Sequence, residues 1–151
     1  MEHLEDSKEE NQEEIEFGLA EFLGAEVEYS NQLLTLYIPD KDRFNKEIGT
    51  QRKWVLEAAN LLAKIGGGVT IMPPVEGGWF DQENDVIIWE KPVLIYTYIK
   101  PQLFLKHLKT LRQFLHRLGS QTNQGEIALE FDGKFYRITK YNLEEKDEIS
   151  N

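Results

Sequence analysis

VLIYTYIKPQLFLKHLKTLRQFLHRLG, residues 93–119, is the stretch on which the fold turns. Its first seven residues, Val93 to Ile99, are aliphatic, aromatic or β-branched, a composition that suits a half-buried strand. At Lys100-Pro101 the period changes. Pro101 suits the first turn of a helix, where its missing N–H costs nothing. Phe104, Leu108, Leu111, Leu115 and Leu118 then step by 4, 3, 4 and 3, which draws one apolar stripe along a helix that Gly119 is expected to stop.

The pattern repeats upstream. Leu33 to Ile38 reads as a central strand closed by Pro39, and Trp54, Ala58, Leu61, Leu62 and Ile65 carry helical spacing within Thr50 to Ile65. Gly66-Gly67-Gly68 ends that helix. Because this glycine run follows a helix instead of preceding one, it lacks the order that seats phosphate on a helix N-terminus. Val69 to Met72 begins another strand, and Trp79-Phe80 with Val86 to Trp89 frames a small hairpin. Downstream, Glu126 to Phe131 and Lys134 to Lys140 alternate about Asp132-Gly133, a strong hairpin signal.

The central order β-α-β-β-α-β predicts an α+β chain of the ferredoxin-like split βαβ type. Two main helices are expected on one face of an antiparallel sheet, with an N-terminal helix and a C-terminal hairpin added. Ile15, Leu19, Phe22 and Leu23 form the stripe of that N-terminal helix, which is expected to pack on the body before Gly24 ends it. Ala25 to Tyr29 is expected to pair with Leu33 to Ile38. Residues 1–12 and 142–151 are expected to be disordered acidic tails flanking one domain over 13–141.

Charge is segregated along the chain. The net charge is −10, yet residues 1–30 hold eleven acids and one base, and residues 142–151 hold four acids and one base. The body between them has twelve acids and fifteen bases. Blocks of like charge usually stay solvated as tails or interaction arms. The chain has no cysteine, which removes disulfides and thiolate chemistry and favours a cytoplasmic location. Its acidic start is the reverse of a signal peptide, and no apolar run is long enough to span a bilayer.

In the split βαβ topology three polar loops should meet at one end of the sheet: 40–49, 73–85 and 119–125. They would bring Asp42, Arg43, Trp79, Asn123, Gln124 and Glu126 together as candidate ligand-binding residues. Glu76 and His116 are the candidate acid–base groups there. Met72 to Trp79, with two prolines and two glycines, reads either as a rigid ligand loop or as a bent hairpin with Trp79 over the core. His107 and His116 lie nine residues apart, about two and a half helical turns, so they point to opposite faces and cannot share a metal. No metal or cofactor is expected.

The helix over 101–118 carries no acid. Lys106, Lys109, Arg112 and Arg117 make it a candidate surface for an anion or an acidic partner, or else an ordinary solvated face. Tyr37, Tyr96 and Tyr98 could present rings on a sheet, but the basic–aromatic string of RNA-recognition domains is absent, and direct nucleic-acid binding is not expected.

Gly67-Gly-Val-Thr70, Glu76-Gly-Gly-Trp79, His116-Arg-Leu-Gly119 and Thr122-Asn-Gln-Gly-Glu126 together resemble small bacterial α+β proteins of uncharacterised function, over about Leu33 to Ile138. The resemblance implies a bacterial origin and an α+β fold and transfers no activity. Two functional expectations follow from the residues. The first is a non-enzymatic binding or regulatory protein whose acidic ends steer it to a protein partner or a homodimer. The second is a small enzyme or ligand-binding protein that acts on a polar metabolite where the loops converge.

Overall fold

The structure, a computed structural model, describes residues 11, 18–26 and 32–143. Strand β1, Leu33–Ile38, is followed by helix α1, Gln51–Gly66. The short β2, Thr70–Ile71, precedes the pair β3, Gly77–Asp81, and β4, Val86–Glu90. Then come β5, Val93–Tyr98, helix α2, Pro101–Gln121, and the closing pair β6, Ile127–Phe131, and β7, Lys134–Ile138. The architecture is α+β. Five strands form one antiparallel sheet in the order β2-β5-β1-β6-β7, and β3 and β4 form a separate two-stranded ribbon.

Strand period decides which side chains meet the helices. Leu34, Leu36 and Ile38 of β1 alternate inward and are all nearly inaccessible, as are Val93 and Ile95 of β5 and Ile127 of β6. They pack under Trp54, Ala58, Leu62 and Ile65 of α1 and under Leu111, Phe114, Leu115 and Leu118 of α2. Each large side chain buried this way stabilises the fold by about 1.5–3 kcal/mol relative to exposure. The opposite sheet face carries the alternate residues Tyr37, Leu94, Tyr96 and Tyr98, and none of them belongs to the buried core cluster.

The folded chain departs from several expectations. Helix α2 runs through Gly119 to Gln121, so this glycine does not stop it. A Cβ there would lie 2.0 Å from the ring of Tyr141, so the missing side chain seats that ring. The hairpin around Asp81 to Asp85 forms where the sequence places it, as a ribbon apart from the main sheet, whose edge strands are β2 and β7. Leu19, Phe22 and Leu23 do lie in a helical segment, but they are exposed, Phe22 by 87%, and do not pack on the body. Ile15, the proposed strand over 25–29 for most of its length, and both acidic tails save Asn11 and residues 142–143 fall outside the described residues.

The Asp132-Gly133 hairpin forms as its sequence demands. Both residues take positive φ, +50° and +76°, the conformation of a two-residue turn whose twist matches its strands. Among the described residues no helix is long and apolar enough to cross a membrane.

Candidate functional site

Among the described residues no helix covers this second sheet face, which becomes a floor at its β1–α1 end. Tyr37 of β1, Leu94 of β5 and Phe135 of β7 point to the same side and line the base of a cavity of about 710 Å³. That volume lies within the usual range of small-molecule sites. The β3–β4 ribbon stands up as one wall through Gly77, Gly78 and Trp79. The opposite rim is built from Asp42 and Arg43 after β1 and from Gln124 and Glu126 before β6.

Hydrogen bonds tie these segments into one rim. The Arg43 backbone N–H donates to the Asn123 carbonyl at 3.0 Å, and its guanidinium donates to the Gln124 carbonyl at 2.9 Å. The Gln124 amide nitrogen donates to the Lys41 carbonyl at 2.8 Å and to the Thr122 carbonyl at 3.2 Å. The Tyr141 hydroxyl also donates to the Gln124 carbonyl, at 3.0 Å. Gln51 fastens the base of the ribbon, donating from its side-chain amide to the Ile38 and Lys91 carbonyls at 3.1 and 2.9 Å. On the ribbon side, the Val75 N–H donates to the Pro92 carbonyl at 3.0 Å.

The structure therefore brings Asp42, Arg43, Glu76, Trp79, Gln124 and Glu126 to one cavity. They do not all offer groups to it. One Asp42 carboxylate oxygen accepts the Phe44 and Lys46 backbone N–H groups and holds its own loop. Gln124 is buried, and its amide is spent on backbone carbonyls. Asn123 sits just past the C-terminus of α2 at φ +51° and does not line the cavity; its contribution is the carbonyl that receives Arg43.

His116 is not brought to Glu76. Its Nδ1 accepts the Asn142 backbone N–H at 2.8 Å, and its ring meets Tyr141 edge-on, away from the cavity. Arg117 does not belong to an open anion surface. It forms a bidentate ion pair with Glu57 of α1 and lies over Trp54 at 5.4 Å and Phe114 at 5.8 Å. The Glu57 hydrogen bond is the chief reason its pKa is raised. The acid missing from α2 is supplied by its neighbouring helix, a pairing that no count along one helix reveals. Arg112 donates to the Asn142 carbonyl at 3.1 Å, beside Lys109 on the same helix, and Lys106 lies one turn nearer the N-terminus.

Glu90 is not among the candidates drawn from the sequence, and Tyr37 is there only as a ring on the sheet. Glu90 pairs with Gly77 in the ribbon register and so shares the inner face with Trp79. Burial raises its carboxyl pKa above the ordinary range, the Asp40 charge adds to this, and Lys41 partly opposes it. Glu90 and Glu76 also border a smaller cavity of about 400 Å³ beside Asp40 and Lys41. Period-two alternation from Trp79 could have located Glu90, had its cross-strand partner been known. Tyr37 donates its hydroxyl to Glu130 at 2.6 Å. Burial and this acidic neighbour push its pKa up to about 12, so the cavity floor stays neutral at Tyr37. Among the described residues no group of three His, Asp or Glu could hold a metal ion.

No family model and no curated protein sequence matches the chain. In structure it is similar to a phage SAM lyase solved in complex with S-methyl-5'-thioadenosine, at 14% identity and a TM-score of 0.49, over 76% of this chain and 94% of that one. The same lyase solved in its apo state is similar at 12% identity and a TM-score of 0.49, over the same shares. Both similar structures are those of an enzyme, which runs against the expectation of a non-enzymatic binding or regulatory protein.

Proposed function

We propose that this protein is a small enzyme that takes a polar metabolite, carrying a flat ring and a positively charged group, into the cavity at the convergent loop end. The observation that carries the reading is the cavity itself. Trp79, Tyr37 and Phe135 offer ring surfaces, and Glu76 and Glu90 offer carboxylates, in one space of about 710 Å³. Aromatic faces attract flat rings and cations, and carboxylates in a partly dry site attract positive charge more strongly than they do in water. Arg43 is the one basic residue among the lining groups, and its guanidinium is engaged by the Gln124 carbonyl.

Within this reading Glu90 is the acid–base residue. A carboxyl raised by burial holds or accepts a proton nearer to neutral pH than an ordinary one does, as such chemistry needs. Glu76 stands beside it as the second carboxylate, and Trp79 stacks on the ring. The succession β1–α1–β2 and β5–α2–β6, with helices on one sheet face, supports reading the body from Leu33 to Ile138 as a split βαβ sandwich. The ribbon and β7 are then additions to that sandwich.

The phage lyase supplies a convenient pair of probes. S-adenosylmethionine carries both an adenine ring and a sulfonium charge, and S-methyl-5'-thioadenosine keeps the ring without the charge. Calorimetric titration with these and with other ring-bearing cations should give saturable binding at one site, with the charged ligands tighter. Trp79→Ala and Glu76→Gln should each weaken it. A wild-type protein that binds no ring-bearing cation sinks the proposal.

A further inference from the structure

The β3–β4 ribbon has a second face that the larger cavity does not use, although its Trp89 also borders the smaller cavity. Phe80 pairs with Ile87, and Gly78 pairs with Trp89, so Phe80, Ile87 and Trp89 project together on the side away from Trp79 and Glu90. They are 56%, 50% and 58% exposed. A Cβ on Gly78 would lie 2.6 Å from Ile87 Cγ2, so its absence lets Ile87 and Trp89 close over the ribbon as one continuous patch. A lone two-stranded ribbon is marginal in water, and a contiguous apolar patch on it marks a contact surface.

The chain also carries a surface that would receive the patch. On the same sheet face beyond the cavity, Tyr98 is 57% exposed and Tyr96 lies beside it two residues along β5. Lys100 follows β5 directly, and its backbone N–H donates to the Ile65 carbonyl in the last turn of α1, which carries Lys64; both lysines are exposed. The ribbon tip is of opposite sign: Asp81, Glu83 and Asp85 stand there without a base. Within one molecule the two surfaces stand apart. The ribbon leaves the sheet at Pro92, the receiving corner lies past Tyr98, and the whole of β5, about 20 Å of strand, separates them.

We propose that the ribbon is the self-association surface of this protein. Phe80, Ile87 and Trp89 of one copy pack on Tyr96 and Tyr98 of a second, and the acidic tip meets Lys64 and Lys100. In a closed assembly each copy gives one ribbon and receives one. Half-exposed aromatic and aliphatic side chains of this size leave roughly 500 Å² of apolar surface per copy to be covered. The charged rim adds to that, approaching the ~800 Å² per partner of a stable interface.

The test uses the full chain in sedimentation velocity over a dilution series. Wild type should sediment as an assembly, and Phe80→Glu and Ile87→Glu should each weaken association by roughly thirtyfold or more, as a lost central contact does. Both variants should keep the wild-type circular dichroism and melting profile, and Ile87→Leu should keep the assembly. Glu83→Lys with Asp85→Lys should also dissociate it. Mixing that variant with Lys64→Glu plus Lys100→Glu should restore a mixed assembly. A monomeric wild type, or an assembly that survives Phe80→Glu and Ile87→Glu, overturns the proposal. So does a mixed pair that stays apart. Dissociation by Phe22→Glu, with the ribbon variants still associated, would assign the contact to the N-terminal helix and overturn it as well. Each readout is a mass, so failure here leaves the calorimetric test of the cavity standing.

Discussion

Arg43 and Gln124, 81 positions apart in the chain, are joined by a hydrogen bond of 2.9 Å from guanidinium to carbonyl. The same carbonyl receives the Tyr141 hydroxyl. One peptide oxygen thus draws the loop after β1, the end of α2 and the segment after β7 into a single rim. Replacing Arg43 by Met should cost about 1–2 kcal/mol in urea unfolding, the low end for a hydrogen bond from a charged donor, because Tyr141 still satisfies the oxygen. Ligand affinity in the calorimetric assay should fall with it.

Gly119 offers a second way to disturb the rim. Its missing Cβ is where the Tyr141 ring rests, so Gly119→Ala forces the ring to move. Overpacking of this kind typically costs 1–3 kcal/mol, roughly, and here it should outweigh the gain in helix propensity. A lowered urea midpoint at unchanged slope would confirm it, and the double variant with Tyr141→Ala should recover part of the loss.

Glu90 makes a prediction about pH. Burial raises its folded pKa above that of the unfolded chain, so the folded state binds the proton more tightly. Stability therefore falls as pH rises from the unfolded carboxylate value through the folded one. Glu90→Gln should remove that component of the slope. The variant should be more stable than wild type above the window and indistinguishable from it below, measured by urea titrations at a series of pH values. A cation bound in the cavity would favour the charged carboxylate, so its affinity should weaken as pH falls through the same window.

The Arg117–Glu57 pair joins the two helices, but the side chains are 36% and 38% exposed, which limits its worth. A double-mutant cycle with Arg117→Ala and Glu57→Ala should give a coupling of about 0.2–1 kcal/mol that shrinks in high salt. Arg117→Ala alone should cost more than this coupling, since it also uncovers Trp54 and Phe114.

Local pattern carried much of the fold and less of the site. The alternation of Leu34, Leu36 and Ile38 and the stripe through Leu111, Leu115 and Leu118 are read directly, because burial imposes its period on the chain. The positive φ of Asp132 and Gly133 is equally local. The ribbon was legible as a hairpin but not as a separate sheet, since pairing beyond the hairpin is set by strands distant in the chain. Gly119 looked like a helix stop because its reason, Tyr141, lies far along the chain. Loop chemistry brought Asp42, Arg43, Glu76 and Trp79 to one end, yet which side chains face the cavity depends on partners such as Lys41 for Gln124 and Asn142 for His116.

The ribbon shares no ladder with the five-stranded sheet, and its described ties to the body lie near its base, at Val75, Pro92 and Lys41. In an isolated protomer it therefore forms its own unit of cooperativity, with a local opening free energy well below that of the body. Deuterium should enter the amides of Phe80 and Ile87 long before those of Leu34 and Leu36. A metabolite could then reach the floor at Tyr37 by a sub-global excursion of one wall, with both helices and the core beneath them undisturbed.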